Sequence, residues 1–411
     1  MSVTYEVPGA VLTEREHSVP LDHANTAGPR ISIFTRELAA PDGRELPYLL
    51  FLQGGPGMEA TRPTAPPSGW MKRALLEYRV LLLDQRGVGR STALGRLIPG
   101  DDAHAQADYL VNFRADSIVR DAELIRQELV GNDQWSVLGQ SFGGFNSMTY
   151  LSIAPDGLRE AFITGGLSPI GRPADDVYRA TWQRVIGKNR LYFERYPDDR
   201  ARLHDVLARL GAEVQRLPNG DRLTAGRFRQ LGFWLGDSAG FENIHHVLEL
   251  PVGSSAFLWD AEKGAAQFQR NPIYATLHES SYADGVVTNW SGQRTRPAEI
   301  DEEGYFTAEH VFPWMFSDYG WLQPHSEAAE ILAEYPWPRL YDADQLRHNQ
   351  VPVAAAIYVN DMYVDHNFSL ETAETIRGIK TWVNDEFEHN GLRADGELVL
   401  GRLIDMVRGR G

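Results

Sequence analysis

Trp135-Ser136-Val137-Leu138-Gly139-Gln140-Ser141-Phe142-Gly143-Gly144 reads as a buried strand ending in Gly-x-Ser-x-Gly, followed by a helix over 146–153. The spacing is that of a nucleophile elbow, in which a serine sits on a tight strand-to-helix turn. Gly139 and Gly143 are expected to remove side chains that would collide as the chain doubles back at Ser141. The turn would lift the hydroxyl above a sheet and set it at the positive end of a helix. Gly and Ser are common in loops, so the motif needs the rest of the chain to support it.

Working outward, residues 31–38 read as an early strand. Apolar runs at 46–52 and 78–83 stop at Gly54-Gly55-Pro56-Gly57 and Asp84-Gln85-Arg86-Gly87. Residues 116–130 place Ile118, Ala122, Ile125 and Leu129 on one helical stripe, and 161–164 form a further short strand. This alternation implies a parallel sheet with helices on both faces. It stops near Gly165, where successive helices are expected at 176–196, 199–214, 224–235, 241–250 and 261–270. It resumes with a strand at 351–359, a helix at 369–379, a strand at 381–384 and a helix at 397–408. The expected organisation is a first core segment over 1–168, a helical cap over 169–340 and a second core segment over 341–411. An insertion of that length most simply folds as a lid over the C-terminal edge of the sheet.

Composition narrows the chemistry. The 411 residues suit one large domain or two moderate ones, and 43% hydrophobic with 23% charged residues is the balance of a soluble globular protein. A formal net charge of −16 argues against nucleic acid or an anionic membrane as partner. With no cysteine, disulfides, zinc-thiolate sites and thiol nucleophiles are excluded. Residues 1–23 carry Glu6, Glu14, Arg15 and Glu16 and no long apolar run, so they do not read as a signal peptide. No stretch approaches the roughly 20 apolar residues of a membrane span, and a cytoplasmic location is expected.

A serine nucleophile needs a base and an acid that orients it, and after this elbow the chain order is Ser, acid, His. Asp361 directly follows the apolar run 354–360; Asp365 and Asp344 are rivals, one further into the loop and one before the strand. His389 falls in the loop after the last strand. Oxyanion donors are expected from the backbone N–H of Phe142 and from the glycine loop, at Gly55 with Gly54 as neighbour. That loop lacks the Gly-Lys-Ser/Thr spacing of a phosphate loop. His-Glu-x-x-His is absent and no clustered His/Asp set has ligand spacing, so neither metal nor cofactor is expected.

Gly54-Gly55-Pro56-Gly57, Asp84-Gln85-Arg86-Gly87-Val88-Gly89-Arg90-Ser91 and Gly139-Gln140-Ser141-Phe142-Gly143-Gly144 together resemble proline iminopeptidases (prolyl aminopeptidases), serine peptidases of the α/β-hydrolase fold. The segments Asn360-Asp361-Met362-Tyr363-Val364-Asp365 and Glu388-His389-Asn390-Gly391-Leu392-Arg393 resemble the larger subgroup of that family. The resemblance covers most of the chain. It departs at Gln53, where smaller members carry His; the larger members tend to have Gln.

The resemblance implies an α/β-hydrolase fold, a mostly parallel sheet flanked by helices with a large helical cap inserted. It implies a peptide substrate with a free N-terminal proline, released through Ser141, His389 and Asp361. It further implies that cap carboxylates bind the protonated proline nitrogen, as a desolvated ammonium requires. Glu279 and Glu309 stand in apolar and aromatic settings suited to this, and Tyr282, Phe312 and Trp314 are candidate walls of a pyrrolidine pocket. Arg86 and Arg90 are expected to brace the core by internal pairing. Two other readings stay open: a carboxylesterase or broader-specificity aminopeptidase on the same triad, and a silent hydrolase-like binding protein. Oligomeric state is open.

Overall fold

The computed structural model describes residues 2–410. Its main sheet has nine strands: β1 Ser2–Val7, β2 Ala10–Pro20, β3 Arg30–Ala39, β4 Tyr48–Leu52, β5 Arg79–Leu83, β6 Trp135–Gln140, β7 Leu158–Thr164, β8 Val353–Tyr358 and β9 Lys380–Asn384. Their spatial order is β1-β2-β3-β5-β4-β6-β7-β8-β9. From β5 through β9 every pairing is parallel, whereas β1, β2 and β3 join antiparallel. Strands β4, β6 and β8 are buried along their whole length. That is why β4 and β8 read as continuous apolar runs: a parallel sheet is covered on both faces.

The two faces separate by the strand period of two. In β4, Tyr48, Leu50 and Leu52 join one apolar cluster, and Leu49 and Phe51 join the other. The first cluster takes in Ile118, Ala122 and Ile125 of the helix Ala115–Val130 and Phe145 and Met148 of the helix Phe142–Ile153. The second takes in Trp70, Met71, Val399 and Leu403 of the helices Gly69–Ala74 and Gly396–Val407.

Between β7 and β8 the chain is helical, beginning with Ala174–Arg195 and Asp199–Ala212 and interrupted by one small two-stranded ribbon. The expected helix over 224–235 is a short α-turn, Ala225–Arg229, continued as 3-10 helix over Gln230–Gly236. Among the described residues no helix is long and apolar enough to cross a membrane. The sheet order matters for the site. The chain passes from β4 to β5 on one side and returns to β6 on the other, so the crevice beyond the C-terminal ends of β4 and β6 is a topological switch point.

Candidate active site

Two turns meet in that crevice, because Leu52 and Gly139 are partners in the ladder. Ser141 follows β6 at φ 57° and ψ −126°, a strained conformation for a residue with a side chain. The surroundings over-determine it. The Ser141 N–H donates to the Thr164 carbonyl at 3.0 Å, and its carbonyl accepts from Gly144 at 2.7 Å. A Cβ on Gly143 would stand 1.8 Å from the Leu52 carbonyl oxygen, and one on Gly139 would stand 2.3 Å from that of Gly143. Phe142 opens the helix Phe142–Ile153, so its N–H is one of the first four with no intrahelical acceptor.

The turn after β4 lies against the elbow: a Cβ on Gly54 would be 2.9 Å from Cβ of Ser141. The segment after β5 holds this turn. Gln85 Nε2 donates to the Gln53 carbonyl at 2.6 Å, and the Asp84 carboxylate accepts from the N–H of Ala60 and Arg90. Arg86 is buried and forms a bidentate pair with Asp121 at 2.6 and 2.7 Å. Arg90 is half exposed and reaches Glu14 at 2.5 Å.

Asp361 lies just beyond β8. Its Oδ1 accepts from the N–H of Tyr363 and Val364, and its Oδ2 lies 2.6 Å from His389 Nδ1. This fixes which ring nitrogen faces the acid and leaves Nε2 for another partner. Burial alone would lower the His389 pKa, but the Asp361 carboxylate, aided by Glu309, raises it above the ordinary 6.5. The rival acids are engaged elsewhere. Asp365 caps the helix His366–Thr375 and pairs with Arg184, while Asp344 pairs with Arg347 at the surface.

A cavity of about 90 Å³ brings Gly54, Gly55, Ser141 and His389 together with Glu309, Phe233, Asp237, Tyr274, Tyr363 and Arg393. Glu309 accepts from the Tyr274 hydroxyl at 2.8 Å and lies 3.5 Å from His278 Nε2. Burial would raise its pKa, but His278, His389 and the Tyr274 hydroxyl hold it below the ordinary carboxylate value. No lysine or arginine among the described residues pairs with it.

Four residues expected at the site, Glu279, Tyr282, Phe312 and Trp314, do not line this cavity. Glu279 does not wall this cavity; its carboxylate accepts from the N–H of Ser291 and Gly292 at 3.0 and 2.8 Å, and burial raises its pKa. It thereby anchors the turn that carries His278. Tyr282 lies behind the cavity wall, with its ring against Phe145 and Tyr178 and its hydroxyl on the Tyr363 carbonyl. Trp314 stacks on Phe312 and lines a separate hollow with Leu210, Thr224 and Asp318. Tyr274 and Phe233, which the sequence reading passed over, form the wall instead. One signal was present for Tyr274: it precedes His278 by one helical turn, and the two rings stack at 5.3 Å.

The expectation that no clustered His/Asp set has ligand spacing did not weigh glutamate beside histidine. His245, His246 and Glu249 bring three potential ligand atoms within 4.8 Å of one another at the end of the helix Gly240–Leu248. Glu249 gathers the set, reaching His245 four residues back at 3.5 Å and His246 three residues back at 3.2 Å.

The alpha/beta hydrolase fold family model matches residues 47–341. The chain is 48% identical over 406 residues to a proline iminopeptidase of Aeromonas sobria, covering 95% of each chain. It is 32% identical over 434 residues to a proline iminopeptidase of Aspergillus aculeatus, covering 99% of this chain and 96% of that one. Among solved structures, it is similar to a proline iminopeptidase of Mycobacterium smegmatis, with a TM-score of 0.48 and 16% identity over 96% of this chain and 98% of that one. A serine elbow at the switch point, an Asp–His pair beside it and full-length relatives of one kind converge: the chain belongs to the α/β-hydrolase fold family and, within it, to the proline iminopeptidases.

Proposed function

We propose that the protein is a serine aminopeptidase that releases N-terminal proline from peptides. Ser141 Oγ attacks the prolyl carbonyl while His389 takes the serine proton; the carbonyl oxygen becomes an oxyanion held by the N–H groups of Phe142 and Gly55. His389 then gives the proton to the departing amine, leaving a prolyl ester on Ser141. Water, deprotonated by His389, attacks that ester, and proline leaves as Ser141 regains its proton. Asp361 keeps His389 in the required tautomer and stabilises its charged form.

One observation carries the substrate assignment. Glu309 is a carboxylate without a lysine or arginine partner, held below its ordinary pKa by His278 and His389, on the wall of the cavity that holds Ser141 and His389. Such a group fits the protonated secondary amine of proline, which would otherwise lie desolvated and unpaired. Tyr274 and Phe233 wall the pyrrolidine ring, with Tyr282 behind them. Glu279 acts through the turn it anchors rather than by touching substrate. Residues 169–340 act as a cap that closes the site from water, and the enzyme works on soluble peptides in the cytoplasm.

Hydrolysis of proline linked to a chromogenic amine, beside the same compound N-acylated, tests the reading. Cleavage of the free amine alone is expected. Equal cleavage of both, or of simple esters alone, would replace it with a carboxylesterase.

A further inference from the structure

The cavity beside Ser141 is charged on two sides. Glu309 is set deep, with 15% of its side chain exposed. At the mouth stands Arg393, 57% exposed and the only lysine or arginine among the lining residues. It sits on the short helix Gly391–Ala394, four residues after His389. Its Nη2 donates to Asp237 Oδ1 at 3.0 Å. Asp237 follows the cap segment Gln230–Gly236, so this ion pair joins the cap to the loop of the catalytic base across the entrance. His389 lies in the fields of both Glu309 and Arg393.

We infer that Arg393 binds the terminal carboxylate of short substrates on the leaving-group side, making the site selective for proline dipeptides with a free C-terminus. The inference rests on the proline-releasing reading above. A dipeptide with free ends carries an ammonium, a scissile amide and a carboxylate in that order, spanning roughly 7 Å. The cavity offers Glu309, Ser141 and Arg393 as counterparts.

A guanidinium matches a carboxylate through two parallel hydrogen bonds. Asp237 holds the place when no such carboxylate is present. An exposed ion pair of this kind adds little net stability, so exchanging Asp237 for a substrate carboxylate costs little. A longer or amidated peptide brings no charge to this position and gains nothing from it.

The test compares kcat/KM for Pro-Ala, Pro-Ala-amide, Pro-Ala-Ala-Ala and a proline anilide, using the wild type, Arg393→Gln and Asp237→Asn. Wild type is expected to favour Pro-Ala over its amide by on the order of ten-fold. Arg393→Gln should bring that ratio close to one, chiefly through KM for Pro-Ala. Asp237→Asn, which removes the competing carboxylate, should widen it. The readout is the ratio, so a uniform loss in Arg393→Gln through a displaced His389 loop does not mimic the effect. A ratio near one in the wild type, or one that survives Arg393→Gln, overturns the inference. Those results with the anilide still cleaved leave the proline-releasing reading standing. Failure on every proline substrate removes both.

Discussion

Lys188 Nζ donates to the Glu388 carboxylate at 2.5 Å, and Glu388 immediately precedes His389. The helix Ala174–Arg195 is thereby tied to the loop that carries His389, and Ser238 adds a second tie to Asn390 at 2.8 Å. Lys188 is buried, so truncating it strands Glu388, whose pKa burial already raises. Lys188→Met should cost about 1–3 kcal/mol of stability and lower kcat several-fold. Denaturant unfolding and steady-state kinetics check this. The double variant with Glu388→Gln should recover part of both losses; full additivity would mean that the two side chains do not cooperate.

The strained backbone at Ser141 separates chemistry from folding. Ser141→Ala keeps the same backbone demands and should leave the unfolding midpoint within about 0.5 kcal/mol of wild type while abolishing turnover and labelling by a serine-directed phosphonate. Ser141→Gly should be equally inactive yet more stable by roughly 1 kcal/mol, because glycine adopts φ 57° without a Cβ clash. Residual turnover above about one part in 10³ would move the nucleophile elsewhere.

The raised pKa of His389 gives two pH effects of opposite sign. The proposed general-base role needs the neutral imidazole, so kcat/KM should rise with pH through a value above 6.5. Stability runs the other way. A raised folded-state pKa contributes stabilisation that is fully present below the unfolded value of about 6.5 and is lost as pH rises through the folded value. Asp361→Asn removes the main cause of the rise. It should shift the acid limb to lower pH and reduce kcat on the order of 10³–10⁴-fold. An unmoved acid limb would assign it to another group.

The elbow was legible from its Gly-x-Ser-x-Gly spacing and Asp361 from the apolar strand before it, whereas His389 follows the mostly exposed strand Lys380–Asn384 and was found by chain order. The hairpin of β1 and β2 was not legible. β1 is almost wholly exposed, so its alternation carries no burial signal, and the ties from β2 to β3 are ion pairs such as Arg15–Glu37 and Glu14–Arg36. The cap walls were harder still. Glu279 and Glu309 have similar apolar neighbours in sequence, and only the fold turns one carboxylate onto backbone N–H groups and the other into the cavity. Trp314 lines another hollow for the same reason: an aromatic run between helices does not say which ring faces the cavity.

That divergence yields a comparison of two isosteric variants. Glu309→Gln removes the negative charge on which the proposed pairing with the substrate amine rests. It should lower kcat/KM for a free-amine proline substrate by roughly a hundred-fold or more, about 3 kcal/mol of lost pairing with a desolvated ammonium. The unfolding midpoint should barely fall, since no lysine or arginine is left unpaired. Glu279→Gln should reverse the pattern. Its amide cannot accept from the N–H groups of both Ser291 and Gly292, so one buried donor loses its partner at about 1–3 kcal/mol of stability. Its kcat/KM should change only several-fold, through the turn that carries His278. Kinetics and unfolding on the same preparations decide the matter: equal kinetic losses in both variants would make Glu279 a substrate ligand after all.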